Sequence, residues 1–243
     1  ALTGADYIIT TIRAGGDAGR LFDEKTCLAH GVLGQETTGA GGFAMAIRSV
    51  PTLVYYCTLA REVSNPGHLI FNFTNPSGII TQALRSCGFA NVYGICDAPS
   101  GFIKQLEEIL NVPYGALDIE CYGLNHLSWF RNAKLDGRDV QEELLNNPRT
   151  YQHSEMRLFT REMARLSGEC MLNEYLYFYY RREKSLSMVQ KAEHPRGEMI
   201  YLINRELETQ LAQMELPRDF EKAFNLYMNA YGKRENAYFS VES

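Results

Sequence analysis

The sequence predicts an α/β protein with a doubly wound parallel sheet, followed by a mixed, mainly helical domain. Short runs of β-branched and aromatic residues alternate with helical patterns over the first 110 residues, and such alternation is typical of parallel sheets. Beyond about residue 120 the composition becomes charged and helical. Of the 243 residues, 45% are hydrophobic, which is enough for a core and excludes a disordered chain.

The first predicted element is a strand over residues 5–13, which ends at Gly15 and Gly16. Its β-branched composition predicts burial, and a buried parallel strand needs neighbours on both sides. No strand with a GxGxxG turn precedes it. We therefore expect the chain to begin inside a larger domain, with the N-terminal strands of the sheet missing.

Helices and strands then alternate along the chain. A helix is predicted over 43–60, with a kink at Pro51 and a buried face formed by apolar residues at 43, 47, 50, 54 and 57. The following predicted elements are a strand over 68–73, a helix over 77–87, a strand over 91–96 and a helix over 102–110. Asp97 is expected to cap the last of these helices, and Pro99 suits its first turn.

The turns after the three strands are the predicted functional region. The carboxyl ends of parallel strands share one edge of the sheet, where ligands bind in doubly wound folds. We therefore expect the turns at 13–16, 74–78 and 96–99 to lie along that edge.

The second region opens with a strand over 117–122, and the sequence Lys134–Arg138 is typical of a hairpin turn. Helical patterns follow over 154–182, 194–214 and 217–231. We place a domain boundary near residue 120, which gives a sheet domain over 1–120 and a second, mainly helical domain over 121–243.

Composition excludes several classes of partner. The net charge is −5, from 24 Lys and Arg against 29 Asp and Glu, and no basic cluster is present to bind nucleic acid. No apolar run approaches the ~20 residues needed to cross a bilayer, and no signal peptide opens the chain. The six cysteines form no CxxC pair and are typical of reduced thiols. These features predict a cytoplasmic protein with no nucleic-acid or membrane partner.

The candidate site residues each have an ordinary structural explanation when taken alone. Cys96 suits a small buried apolar residue and His126 a hydrogen-bonded loop histidine; their spacing of thirty positions fits no short zinc motif. Asn75 is typical of a turn, and Arg20 of a solvated charged segment. Tyr175 belongs to an aromatic run that is more often core than catalytic.

Two further observations remain open on the residues alone. Tyr175 and Tyr179 have the spacing that places two side chains on one helical face. The segment 31–42 contains five glycines, a density that suits close approach of the backbone to a ligand.

Several segments in one order give a more specific indication. They are GVLGQETTGAGGF over 31–43, TNP over 74–76, GICDAP over 94–99 and YGLNHLS over 122–128. Together they resemble the NAD- and manganese-dependent family 4 glycoside hydrolases, especially the 6-phospho-glucosidases, over residues 5–240. GQETTGAGG and YGLNH are the specific segments. Members of this family do not use the two-carboxylate mechanism of most glycosidases.

The resemblance implies a metal and a sugar site. Cys96 and His126 match the family's ligands for Mn²⁺ or another divalent metal. Asn75 and Arg20 match residues that contact the sugar, and Arg196 matches a residue that binds substrate or its phosphate.

The resemblance also implies catalytic and cofactor residues. Tyr175 matches the catalytic base, and Asp97 matches an acid that protonates the leaving oxygen. Thr11, Arg13 and Gly15 are expected along bound NAD. The implied first domain is then the C-terminal part of a Rossmann-like, NAD-binding domain, and the second domain carries catalysis and oligomerisation.

The implied reaction is a redox-assisted elimination: oxidation at C3 of the sugar, removal of the C2 proton, loss of the aglycone, addition of water and return of the hydride. The expected substrate is a phosphorylated disaccharide or glucoside, and the expected assembly is a homodimer or homotetramer. Since no GxGxxG turn is present, we expect this chain to bind NAD weakly or not at all.

Specificity is the open question. An acid at position 97 is common in relatives that act on α-linked phospho-glucosides, whereas Leu127–Ser128 after His126 is more typical of the β branch. We favour 6-phospho-β-glucosides and keep 6-phospho-α-glucosides as the alternative. Histidine after the metal cysteine, as in relatives that act on unphosphorylated glycosides, is not found here. A catalytically inactive binding protein or an ordinary dehydrogenase on this fold are the remaining alternatives.

Overall fold

A three-stranded parallel sheet forms the first layer, with strand order β1 (Tyr7–Thr10), β2 (Leu69–Asn72) and β3 (Val92–Gly94). The structure, a computed structural model, describes residues 1–240, with side chains as far as Arg234. All three strands run in the same direction, so their carboxyl ends lie at one edge as predicted. The predicted fold class, a parallel sheet with helices followed by a mixed region, is confirmed.

Strand β1 is not the buried strand that the sequence predicts. Tyr7 and Ile9 are 72% and 65% exposed, because they point to the opposite face from the helices. On that exposed face the ring of Phe71 lies 6.5 Å from that of Tyr7 and 6.2 Å from that of Tyr93. β-branched composition identified the strand but not the burial of its two faces.

Two helices cover the other face of the sheet: α2 (Gly39–Val63) and α3 (Ser77–Ser86). Leu53 of α2 and Ile80 of α3 pack in one cluster with Ile70 of β2. The predicted buried face of α2 is wrong in its first half, since Phe43 and Ile47 are more than half exposed. The N-terminal half of this helix is apolar on most sides, so periodicity could not select the buried stripe.

Helix α2 also qualifies the expectation of no membrane-spanning segment. Among the helices of residues 1–240, it is the one whose length and apolar composition would allow it to cross a membrane, with a mean hydropathy of 1.2 over 18 residues. A third of that window is buried, and core helices of folded domains meet the same criterion.

The second layer is an antiparallel sheet in which β5 (Leu127–Leu135) pairs with three strands: β4 (Leu117–Leu124), β6 (Arg138–Asp139) and β7 (Met171–Leu172). The predicted hairpin turn is confirmed at Asp136 and Gly137, which have φ of +49° and +80°. Phe102 of α4 (Ala98–Leu110) meets Phe130 of β5 edge-on, with ring centroids 4.8 Å apart, at the centre of the core.

The predicted long helix over 154–182 is wrong. The segment contains short elements instead: a 3₁₀ turn (Glu155–Leu158), α7 (Arg161–Leu166), β7, a second 3₁₀ turn (Glu174–Leu176) and α8 (Tyr177–Tyr180). Gly168 and Glu169 have φ of +78° and +56°, which no helix continues through, and β7 then pairs with β5. Two short helices, α5 (Gln141–Asn146) and α6 (Thr150–His153), precede this segment.

The chain forms two compact units. Unit 1, Ala1–Ile12 with Ser49–Arg182, contains both sheets; unit 2 contains Arg13–Arg48 and the residues from Glu183 onward. The helices of unit 2 are α1 (Gly16–Ala29), the first turns of α2, α9 (Arg182–Lys191), α10 (Arg196–Leu211) and α11 (Phe220–Ser240). The backbone of the glycine-rich segment 31–42 packs closely against α1 in this unit: a Cβ at Gly34 would lie 2.5 Å from Cys27 Sγ.

Candidate active site

Cys96 and His126 come together in unit 1. Cys96 follows β3 by two residues, and His126 lies in the turn between β4 and β5 with φ of +63°. The Sγ of Cys96 is 3.5 Å from Nε2 of His126, and both residues are half-buried. The intervening segment contains α4 and β4, which explains why local spacing gave no metal signature.

This pair fits a divalent cation. Metal bonds of about 2.3 Å to sulfur and 2.1 Å to nitrogen place the two donors roughly 3.1–3.6 Å apart for angles of about 90–110°. A thiolate and an imidazole suit borderline metals. Among the described residues no group of three or more His, Cys, Asp or Glu is placed to hold a metal, so protein donors would leave coordination positions open. Open positions are typical of catalytic rather than structural sites.

Tyr175 contacts the same histidine. It is 1% exposed, and its ring centroid lies 4.9 Å from that of His126. The 3₁₀ turn Glu174–Leu176 places it, and the Asn173 side chain caps this turn by accepting a hydrogen bond from the Tyr175 N–H. Tyr179 is 52% exposed, so the expectation that the two tyrosines share one helical face is wrong, because the run divides into a 3₁₀ turn and a short helix.

Asp97 and Asn75 lie in the turns that follow β3 and β2. Asp97 precedes α4, but its carboxylate makes no capping hydrogen bond, so the capping role expected from the sequence is not observed. Its Oδ1 lies 3.9 Å from Cys96 Sγ, and the side chain is exposed. Asn75 is half-buried in the turn between β2 and α3.

A buried asparagine shapes this edge of the sheet. Asn72 accepts a hydrogen bond from Thr10 Oγ1 at 2.9 Å and donates to Thr81 Oγ1 at 3.2 Å, which joins β1, β2 and α3. Its Oδ1 also accepts from the backbone N–H of Thr74, and its Nδ2 donates to the Ser77 carbonyl. The turn that carries Asn75 is therefore fixed from beneath.

An open groove of about 960 Å³ begins at Cys96. Its lining includes Gly78, Gln82 and Arg85 of α3, together with Pro99 and Asn125. The volume is within the range of small-molecule sites.

The two candidate substrate arginines lie in unit 2. Arg20 is 3% exposed and pairs with Glu24 at 2.8 Å and Glu36 at 3.4 Å, so the solvated-charge interpretation is wrong. Arg196 is 9% exposed at the first position of α10. The backbone N–H of Gly197 donates to Glu24 Oε2 at 2.8 Å. Glu24 therefore binds Arg20 and the first turn of α10 at once.

The three residues expected along NAD follow β1. Thr11 is exposed and belongs to unit 1. Within unit 2, Arg13 pairs with Asp17 at 3.2 Å and Glu36 at 2.9 Å. Gly15 precedes α1 with φ of +86°, a conformation that favours glycine. The backbone N–H of Gly16 donates to the Arg13 carbonyl at 3.0 Å and closes a glycine turn before α1, and the sequence contains no GxGxxG turn to complete a dinucleotide site.

Glu155 is the strongest electrostatic anomaly in unit 1. Burial, and secondly the nearby charge of Glu174, raise the pKa of its carboxyl to about 8. Its Oε2 accepts hydrogen bonds from the side chain of Asn173 and the backbone N–H of Glu174.

Sequence reasoning missed Asn72, Glu155, Asn173 and Glu24. A signal was present for Asn72, since a single amide between Phe71 and Phe73 interrupts a buried strand. Glu155 and Asn173 fall in the segment that was expected to be one helix, where polar residues suggest a solvated face. Their burial depends on the pairing of β7 with β5, which the local pattern does not reveal.

Comparison with known proteins gives two matches to family models. Residues 1–112 match the model described as family 4 glycosyl hydrolase, and residues 121–241 match that of the family 4 glycosyl hydrolase C-terminal domain. Together these models cover nearly all of the chain.

Individual relatives agree with the family models. The chain is 31% identical to the 6-phospho-beta-glucosidase BglT of Thermotoga maritima over 227 residues, which are 91% of this chain and 53% of the relative. A solved structure of the T. maritima 6-phospho-beta glucosidase with manganese, NAD⁺ and glucose-6-phosphate superposes with a TM-score of 0.77 at 31% identity, over 96% of this chain and 56% of that one.

An α-specific relative is also similar. The structure of a 6-phospho-alpha-glucosidase from gut microorganisms with NAD and glucose-6-phosphate has a TM-score of 0.79 at 27% identity, over 91% of this chain and 51% of that one. The chain spans about half the length of the curated relatives that it matches over most of its own length.

Proposed function

Because the chain belongs to the family 4 glycosyl hydrolases, we propose that the protein hydrolyses 6-phospho-β-glucosides with the help of NAD and Mn²⁺ or another divalent metal. The observation that carries the proposal is the convergence of Cys96, His126 and Tyr175 within one site of unit 1. The similarity to the 6-phospho-beta-glucosidase of T. maritima, including its structure with manganese, NAD⁺ and glucose-6-phosphate, supports the proposal.

Cys96 and His126 would hold the metal through Sγ and Nε2. The chemistry that bound NAD⁺ and a divalent metal supply is hydride acceptance at C3 of the sugar and Lewis-acid polarisation of the resulting ketone. Tyr175, which packs against His126, would then remove the acidified C2 proton.

Asp97 and Asn75 would act on the sugar at the same edge. The carboxyl group of Asp97 is exposed and makes no capping hydrogen bond, and it would protonate the oxygen that leaves C1. The amide of Asn75 would bind sugar hydroxyl groups from a turn that Asn72 fixes. Addition of water and reversal of the oxidation complete the reaction, so NADH does not accumulate.

Arg20 and Arg196 are the proposed ligands of the sugar phosphate, since guanidinium groups match phosphate geometry. Thr11, Arg13 and Gly15 are proposed to lie along NAD.

We further propose the domain division of the sequence analysis: residues 1–120 as part of the NAD-binding domain, and 121–243 as a catalytic and oligomerisation domain. We propose that the protein forms a homodimer or homotetramer in the cytoplasm. Its substrate would be a phosphorylated disaccharide or glucoside, and it would have no nucleic-acid or membrane partner.

A 6-phospho-α-glucosidase is the second candidate. The acid at position 97 favours it, and the similarity to the α-specific structure supports it. Because the C3–H and C2–H bonds break before the bond between C1 and the leaving oxygen, the anomeric configuration constrains this mechanism less than it constrains direct displacement.

The test is turnover of p-nitrophenyl 6-phospho-β- and 6-phospho-α-glucosides in the presence of NAD⁺, Mn²⁺ and a thiol reductant. We expect faster hydrolysis of the β substrate and no net NADH. Preference for the α substrate would replace the first candidate by the second. Absence of turnover with both would favour an inactive binding protein, and stoichiometric NADH release would favour a dehydrogenase.

A further inference from the structure

Glu155 is a buried carboxyl group with two N–H partners. It is 8% exposed, and its Oε2 accepts hydrogen bonds from Asn173 Nδ2 at 2.8 Å and from the backbone N–H of Glu174 at 3.0 Å. Its own backbone N–H donates to Gln105 Oε1 of α4 at 2.9 Å. The backbone of Glu155 is therefore anchored to α4, and its carboxyl group binds the segment that precedes Tyr175.

Asn173 transmits this contact in two directions. Its Oδ1 accepts the Tyr175 N–H at 3.3 Å, and its own N–H donates to the Ser128 carbonyl at 3.0 Å. Ser128 lies two residues after His126 on β5. Asn173 thus joins Tyr175 to the hairpin that carries His126: its side chain binds the Tyr175 N–H, and its backbone N–H binds the hairpin.

We propose that Glu155 is a positioning residue, which acts through Asn173 to fix Tyr175 against His126. The inference rests on the proposed function, in which Tyr175 is the base and His126 a metal ligand. A base must be held to within about 1 Å to abstract its proton efficiently. Tyr175 lies in a single 3₁₀ turn, Glu174–Leu176, and hydrogen bonds from surrounding residues are what hold so short an element in place.

The protonation state of Glu155 is consistent with this role. Its raised pKa keeps much of the carboxyl group neutral at pH 7, and a neutral carboxyl group still accepts both N–H groups with Oε2. The charged neighbours are Glu174, which raises the pKa, and Arg157, which lowers it. An amide preserves the acceptor, so glutamine is the conservative replacement and leucine the disruptive one.

The first experiment compares E155L and E155Q in the full chain under the assay conditions above. We expect E155L to lower kcat by about 10²-fold with little change in KM, and to increase the isotope effect of C2-deuterated substrate on kcat, because proton removal becomes slower. E155Q should retain kcat within about threefold, since its carbonyl oxygen replaces Oε2.

A second variant tests the same path without changing Glu155. N173L removes the N–H group that binds Glu155 together with the oxygen that accepts the Tyr175 N–H. Aspartate is unsuitable here, because a neutral Glu155 carboxyl group donates its O–H to a carboxylate at this position. We expect a loss of kcat similar to that of E155L. If E155L does not fold, N173L and E155Q decide: loss of kcat in N173L with retention in E155Q supports the proposal, and equal activity of the two variants overturns it.

Glu107 provides a matched control. It is also buried, at 1% exposure, and its Oε1 accepts two backbone N–H groups, those of Gly115 and Leu117. The loop that it supports carries none of the proposed site residues. We expect E107L to lower stability while kcat and the isotope effect of the folded fraction stay unchanged. The same loss of kcat in E107L, or unchanged kcat in E155L, would overturn the proposal.

A crystal structure of E155L separates failure of this inference from failure of the proposed function. If the unaltered protein turns over no phospho-glucoside, the proposed function fails, yet the structure still reports on positioning. Displacement of the Tyr175 ring from its 4.9 Å contact with His126 supports the inference, and an unmoved ring contradicts it.

Discussion

Glu24 and Gly197, 173 positions apart in sequence, are in direct contact: the carboxylate accepts the glycine N–H at 2.8 Å. A Cβ added at Gly197 would overlap the Glu24 carboxylate. Glu24 is buried and also binds Arg20, so it has little room to yield. This contact joins α1 to the first turn of α10, where Arg196 lies.

Gly197→Ala is therefore expected to lower the free energy of unfolding by about 1–3 kcal/mol, the usual cost of overpacking. The measurement is urea denaturation followed by circular dichroism. Gly101→Ala in α4 is the control, because no atom lies within 4 Å of a Cβ there. In a helix interior this change should stabilise by about 0.5–1 kcal/mol. Similar effects of the two variants would contradict the steric account.

Cys96→Ser should weaken Mn²⁺ binding by more than about tenfold and leave the fold unchanged, because a neutral hydroxyl group replaces a thiolate ligand. Titration calorimetry with glucose-6-phosphate present measures the affinity. Cys87→Ser is the matched control, since Cys87 is exposed at the end of α3. Unaltered Mn²⁺ affinity in the Cys96 variant would reject its role as a ligand.

Tyr175→Phe should lower kcat by about 10²–10⁴-fold, the usual contribution of a general base, while Mn²⁺ affinity stays the same. Exchange of the C2 proton with deuterated solvent, followed by NMR, is expected to stop. Tyr179→Phe, at an exposed position of the same aromatic run, should exchange normally. Continued exchange in the Tyr175 variant would assign the base to another residue.

Glu155 predicts a pH dependence of stability. Its pKa is about 8 in the folded protein against 4.5 for a free side chain, so the folded state retains a proton that the unfolded state releases. The free energy of unfolding should therefore fall as pH rises from about 4.5 to 8, by at most about 1.4 kcal/mol per pH unit. Glu155→Gln should flatten the profile in this window, as measured by urea denaturation at half-unit intervals. A profile with the same slope in the variant would refute the assignment.

Local patterns predicted the elements whose neighbours are close in sequence. The strands β2 and β3, the helices α3 and α4 and the turn at Asp136–Gly137 all follow from periodicity and turn chemistry. The parallel order of the sheet followed from the alternation of strands and helices, because right-handed crossovers leave few topologies.

Features that depend on distant partners could not be obtained in this way. The segment 154–182 has helical composition, but Gly168 and Glu169 interrupt it and β7 pairs with β5. The burial of Arg20 depends on Glu24 and Glu36, four and sixteen residues away, whose charges made the segment look solvated. The 3.5 Å approach of Cys96 to His126 was expected from family resemblance, not from spacing.

The two-donor character of the Cys96–His126 pair has a thermodynamic consequence. A cation bound there would have coordination positions open to water or to the sugar, because the described residues contain no group of three or more His, Cys, Asp or Glu around one site. Cation and sugar would then enhance each other's affinity by one and the same factor, as reciprocal linkage requires. Metal titrations performed without a hydroxylated ligand would underestimate the affinity that prevails during turnover.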